Sequence, residues 1–231
     1  MELSELASQV LICFAVKEEA AELKKVLPRL ADHGNPEILV TGMGKKNSER
    51  MIRQRLDQQA PLLVLTCGFA GALNPELKIG DVLFDEDAEC GLEEILRSAG
   101  AEPARFNCAP RVVTTMIEKT ALRQSTGADV VEMESGIIRR ICQEKKIPSA
   151  TVRVISDTAT QDLPLDFNAL MTKEDTLSFP KLALALLKSP AKIPRLLELQ
   201  RNTHYAAREL AGVLEKLLSR RDCGSGGACL R

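Results

Sequence analysis

Residues 10–16 form a continuous apolar run, the pattern of a strand buried on both faces. Most later strand candidates share this lack of in/out alternation: 37–41, 62–66, 82–84 and 150–155, with shorter ones at 112–113 and 130–131. Between them the period becomes helical. Residues 17–30 put Ala20, Leu23 and Leu27 on one face, and Asn47 or Ser48 can cap a helix running through Leu56. Residues 117–124 read as helix, and Ser135 can cap another through Lys145, which Pro148 ends. From about 179 to 219 the chain is helical again, with Leu196, Leu199, Ala207, Leu210, Leu214 and Leu217 near helical spacing. Strands that alternate with helices and lack a polar face predict an α/β protein. The expected architecture is a three-layer α/β/α sandwich around a central mixed sheet. Residues 85–111 show the weakest pattern.

Composition narrows the function classes. Lys plus Arg number 31 and Asp plus Glu 32, a net charge of -1, which disfavours a general binder of phosphate backbones. There is no Trp, one Tyr and six Phe, too few rings for a base-stacking platform, so no nucleic-acid partner is expected. No apolar run approaches about 18 residues, so no membrane span is expected. The start, Met1-Glu2-Leu3-Ser4-Glu5, lacks a basic region, so no signal peptide is expected. The seven cysteines form no C-x-x-C pair, and Cys13, Cys67 and Cys142 sit in apolar runs. They read as reduced core thiols of a cytoplasmic protein. Composition changes after Arg220, which suggests one domain over 1–220 and a flexible Gly/Cys tail at 221–231 holding Cys223 and Cys229. His33 and His204 lack carboxylate neighbours at ligand spacing, and no metal or cofactor is implied.

The turn Gly42-Met43-Gly44 begins like a dinucleotide fingerprint, but Asn47 occupies the third glycine's place and the turn follows the second strand. Residue 39 is Leu and residue 46 is Lys, so a P-loop fails too. The turn reads most simply as a close approach of backbones. In open α/β sheets ligands bind beyond the carboxyl ends of strands. Four such ends here carry unusual residues: Lys17-Glu18-Glu19, Gly68-Phe69-Ala70-Gly71, Glu132-Met133-Glu134, and Arg153 through Ser156-Asp157. Singly, an acid in a first helical turn is favoured by the helix dipole alone. Together they point to one rim.

These four segments, in this order between residues 12 and 158, resemble the nucleoside phosphorylase and nucleosidase superfamily. The methylthioadenosine/S-adenosylhomocysteine nucleosidase branch is the nearest in wording. The resemblance implies that Asp157 delivers a proton to N7 of a leaving purine and that Glu19 orients or deprotonates the attacking water. It implies that Glu134 accepts hydrogen bonds from ribose hydroxyls, with Met133 under the sugar. It further implies that Ser156 holds Asp157, that Val113 lines the base pocket, and that Gly68 and Phe69 belong to the glycine loop. Such roles suit the chemistry. A purine leaves poorly until protonated, and the bond breaks through a sugar cation resembling an oxocarbenium ion. An acid on one side and a carboxylate on the other divide the work. Asp157 must hold its proton when it acts, which calls for a desolvated setting.

Phosphorylases of this superfamily hold phosphate with arginines and a Ser or Thr in the glycine loop. Here the first loop offers Glu18 and Glu19, and Phe69 stands where relatives often have Ser. A carboxylate about 4 Å from a phosphate charge costs on the order of 4 kcal/mol at an effective dielectric of 20, which favours water. Arg153 reads either as part of a phosphate site or as a structural partner of Glu132 or Glu134. The expected function is therefore hydrolysis of a purine nucleoside or 5'-substituted adenosine. Phosphorolysis, with phosphate as co-substrate, and non-catalytic nucleoside binding are the alternatives. The span from Asp81 to Glu132 is shorter than in the nucleosidases, Val112-Val113 stands where they often have Phe-Ile, and Asp162-Leu163-Pro164-Leu165-Asp166-Phe167 resembles the hopanoid-associated phosphorylase-like branch. That branch's substrate is thought to be an adenosylated lipid, and the apolar C-terminal segment would then shape a greasy pocket. The resemblance also implies a homodimer.

Overall fold

The computed structural model describes residues 9–33, 35–172 and 178–219. Its centre is an eight-stranded mixed sheet. β1 (Val10–Phe14) lies between β2 (Glu37–Val40) and β3 (Leu63–Ala72), parallel to both. β8 (Ser149–Asp157) runs parallel along the other side of β3. Beyond it, β4 (Val82–Glu86) is antiparallel to β8 and carries β5 (Ala101–Pro103) in parallel at the edge. The far end of β3 outruns β1 and pairs antiparallel with β7 (Val130–Glu132), which pairs in parallel with β6 (Phe106–Cys108).

Helices cover both faces, and β1 shows why its sequence does not alternate. Val10, Ile12 and Phe14 enter one core together with α1 (Lys17–Val26), α3 (Glu93–Ala99) and α8 (Ile193–Ser219). Leu11 and Cys13 enter the opposite core with α2 (Gly44–Gln58) and α5 (Ser135–Glu144). α8 contributes Ala206, Leu210, Leu214 and Leu217, an i, i+3/i+4 stripe. Fully burying each Leu or Ile of these layers stabilises by roughly 1.5–3 kcal/mol. The buried Cys13, Cys67 and Cys142 pack as small apolar groups, and burial pushes the Cys67 thiol up to about 12. No helix among the described residues is long and apolar enough to cross a membrane.

Several boundaries differ from the sequence reading. The helix at 17–30 ends at Val26 and continues as a 3-10 turn, Leu27–His33, since Pro28 cannot extend the α-helical ladder. α2 begins at Gly44, so Asn47 and Ser48 lie inside it; Ser48 is buried against Thr41 instead of capping. The glycine segment Gly68–Gly71 is not a loop but the second half of β3. Residues 112–113 are not a strand; their backbone is held by a side chain, described below. The 85–111 stretch resolves into the end of β4, then α3, β5 and β6. α4 (Met116–Thr126) opens with a reciprocal Thr115/Glu118 cap. A single turn, α6 (Phe167–Leu170), and α7 (Phe179–Lys188) precede α8. The tail expected at 221–231, with Cys223 and Cys229, lies outside the described residues.

Candidate active site

The ends of β1, β3, β7 and β8 surround a cavity of about 230 Å³. Its wall includes Glu19, Phe69, Met133, Glu134, Ser156 and Asp157, with Val113 opposite. Four separate segments of sequence thus converge on one space. Gly68 and Arg153 do not line it; both stand behind the wall.

Glu19 and Glu134 are positioned by backbone. Glu19 follows the exposed Glu18, and α1 turns only Glu19 inward. Its Oε2 accepts from the N–H groups of Ala15 (2.9 Å) and Val16 (3.1 Å), and its Oε1 from Phe69 N–H (2.8 Å). Burial pushes the Glu19 carboxyl up, while Arg153 and the three N–H donors pull the other way. Gly68 makes the contact feasible. Its φ is +146, and a Cβ there would fall closer than 3.0 Å to Glu19 Oε1 and to Arg153 Nη1.

Glu134 accepts from the N–H of Gly44 at 2.9 Å. The Gly42-Met43-Gly44 turn therefore serves a carboxylate rather than a phosphate. Burial pushes Glu134 up to about 7, with Glu132 and Glu19 adding to the effect and Arg153 and the Gly44 N–H opposing it. Glu132 is the anchor beneath. Its carboxylate caps α5 by accepting from Ser135 N–H (2.7 Å), Glu134 N–H (2.9 Å) and the Ser135 hydroxyl (2.6 Å). Ser135 is thus the first residue of α5 and the capping oxygens belong to Glu132. Arg153, fully buried, reaches Glu132 at 2.7 Å, lies 3.6 Å from Glu134 and donates to the carbonyl of Cys67 at 3.1 Å. Burial disfavours an ionised Glu132, yet Arg153, the Ser135 hydroxyl and the two N–H groups hold its carboxyl below the usual range. Of the two readings of Arg153, the structural one describes its contacts.

Asp157 owes its direction to an irregularity. β3 and β8 pair residue by residue to Ala70↔Ile155, and the next pair is Gly71↔Asp157, so Ser156 is bulged out. The bulge breaks the alternation that would send Ser156 and Asp157 to opposite faces, and both line the cavity. The Ser156 hydroxyl donates to Asp157 Oδ1 at 2.8 Å. At Gly71, a Cβ would meet Asp157 Oδ2 at 3.1 Å.

A buried cation stands against this acid. Lys119, on α4, is completely buried, and its Nζ donates to Asp157 Oδ2 at 2.6 Å, to the carbonyl of Thr158 at 2.6 Å and to that of Gln161 at 3.2 Å. The sequence reading did not single out this lysine. The available signal is weak: Lys119 is the one buried residue of α4, while its apolar neighbours Met116 and Ile117 are exposed. Asn168 is a second unforeseen residue. Its side chain donates to Val112 carbonyl (2.9 Å) and accepts from Val112 N–H (3.0 Å), fixing the segment that presents Val113. Leu163 N–H adds a bond to the carbonyl of Thr114 at 2.8 Å.

The arrangement sets an acid, hydrogen-bonded on both oxygens, across a small cavity from two buried carboxylates. Arg111 is the one cation on the cavity wall among the described residues, and it is paired with Glu118 at 2.5 Å. No cluster of metal-ligating side chains occurs among the described residues.

Comparison with known proteins gives a consistent result. A family model described as the phosphorylase superfamily matches residues 22–88 and 105–188. The 5'-methylthioadenosine/S-adenosylhomocysteine nucleosidase of Shewanella loihica is 26% identical over 174 residues, covering 59% of this chain and 75% of that protein. The protein of the same name from Staphylococcus aureus is 23% identical over 207 residues, covering 69% and 90%. Among solved structures, the Campylobacter jejuni 5'-methylthioadenosine/S-adenosylhomocysteine nucleosidase superposes with a TM-score of 0.66 at 18% identity, covering 91% of this chain and 98% of that one. The Helicobacter pylori futalosine hydrolase gives 0.66 at 17% identity, covering 92% and 98%. The mixed-sheet fold is theirs.

Proposed function

The chain belongs to the phosphorylase superfamily, and from that premise we propose that it is a nucleosidase. It would cleave the N-glycosidic bond of a purine nucleoside or 5'-substituted adenosine with water as the nucleophile. The observation that carries this reading is the charge on the sugar side. Glu19, Glu132 and Glu134 gather around one guanidinium, Arg153, which is committed to Glu132. A phosphate dianion would enter a wall already short of positive charge, whereas a sugar cation would be stabilised there.

In this reading Asp157 protonates N7, and the C1'–N9 electron pair passes into the purine. Glu134 accepts from the ribose hydroxyls over Met133. Glu19, raised by burial toward the range of a useful base, orients the water and takes its proton. Val113 and Phe69 wall the base and the sugar. At Asp157 and Leu163 the cavity adjoins an outer cleft lined by Arg195, Glu198 and Leu199 of α8. No cofactor enters the reaction, and two of the similar proteins carry the name 5'-methylthioadenosine/S-adenosylhomocysteine nucleosidase.

The test is release of free base from methylthioadenosine, S-adenosylhomocysteine, adenosine, inosine and an adenosyl lipid, each with and without phosphate. The expected result is base and free sugar from at least one of them in phosphate-free buffer. A strict phosphate requirement with a sugar phosphate as product would make the enzyme a phosphorylase. Nucleoside binding without turnover would make it a non-catalytic relative.

A further inference from the structure

We infer that Lys119 is a positioning residue for Asp157. Its ammonium aims the carboxyl at the base and stabilises the carboxylate that proton transfer leaves behind. The inference rests on the nucleosidase reading and adds to it a residue of α4 that does not line the cavity.

The geometry is specific. Lysine carries three donors, and Lys119 has three acceptors: Asp157 Oδ2, Thr158 carbonyl and Gln161 carbonyl. Only the ammonium form can satisfy all three, because a neutral amine has two hydrogens. The side chain is sealed from solvent, so it touches no substrate and acts through its partner. A structural ion pair would serve as well between any two elements, but this one is made to the single carboxylate on the base side of the cavity. The two carbonyls extend its hold to the loop that follows Asp157. That loop is tied to the start of α4 again by Asp162 Oδ1, which accepts from Met116 N–H at 2.7 Å. Acid, loop and helix form one unit.

The proton balance is simple. Asp157 gives its proton to N7 and becomes a carboxylate, while Glu19 gains one from water. Both are restored by exchange with solvent after products leave. Lys119 keeps its own three protons and supplies fixed charge against the carboxylate formed. Other charged groups on α4 and in the loop make their own contacts, and two on α8 face a cleft that reaches Asp157. On α4, Glu118 turns to Arg111 and Arg123 to Asp129 (3.1 Å). From the loop, Asp162 caps α4, and from α8, Arg195 and Glu198 line a separate outer cleft that also reaches Asp157.

The experiment compares wild type, K119M, K119Q and K119R on a purine nucleoside that the wild type cleaves and on a riboside with a nitrophenolate leaving group, which departs without protonation. Thermal melting establishes that each variant is folded, and K119Q serves if K119M does not accumulate. With the neutral variants, kcat on the purine nucleoside falls at least tenfold, a part of the roughly 10²–10⁴-fold that a general acid supplies. The loss on the nitrophenyl riboside is much smaller. K119R, which keeps the charge, retains most of the purine-nucleoside rate. An unchanged rate in folded K119M or K119Q overturns the inference, as does an equal loss on both substrates, which marks a merely structural lysine. No base release by the wild type from any nucleoside overturns the nucleosidase reading itself.

Discussion

Two neighbouring glutamates, Glu132 and Glu134, share one strand end and one arginine yet titrate in opposite directions. Glu132 is lowered because its oxygens meet Arg153, a hydroxyl and two N–H groups; Glu134 has one N–H and a more distant arginine, and burial lifts it to about 7. The consequence for stability has a definite sign. A folded-state value of about 7 against an ordinary 4.5 means that the folded protein holds this proton more tightly than the unfolded chain. That contribution is full below about 4.5 and is lost as pH rises through 7. Glu19 is raised in the same sense. Replacing Glu134 by Gln removes its share of the titration, worth a few kcal/mol at most. Melting curves of Glu134→Gln and wild type should therefore shift in favour of the variant between pH 5 and pH 8. A constant difference across that range would contradict the assignment. None of this was visible in Glu132-Met133-Glu134 as a string, because the distinction arises from Arg153, some twenty residues on.

At the scale of elements, the unalternating strands and their helices were readable because burial on both faces leaves no polar positions to misread. What sequence did not carry was local departure from regularity. The glycine segment looked like a loop, yet it is the end of β3, with Gly68 at φ +146 and closely approached by Glu19 and Arg153. The bulge at Ser156 leaves no compositional trace, and Asn168 holds Val112 where two adjacent valines suggested a short strand. The Gly68 geometry predicts a result. Gly68→Ala places a methyl group against two buried, fully engaged side chains in a backbone conformation that alanine rarely adopts. The cost should be about 1–3 kcal/mol of strain, or at least ~2–4 °C in melting temperature for a chain of this size. An unchanged melt would contradict that packing.

Taken whole, the molecule brings four distant segments to one rim because β1, β3 and β8 run parallel and end together, while β7 joins the far end of β3. The rim was legible from the carboxylates at those ends. Lys119 was not, since a lysine in a surface helix is ordinarily solvated and only the tertiary fold seals it. The central claim is that a proton donor faces the base while anionic groups face the sugar. Asp157→Asn tests it most directly: the amide keeps the size of the side chain and has no acidic proton to give. Base release should fall by roughly 10²–10⁴-fold while nucleoside affinity and melting temperature stay near those of the wild type. Turnover at the wild-type rate by folded Asp157→Asn protein would contradict the account.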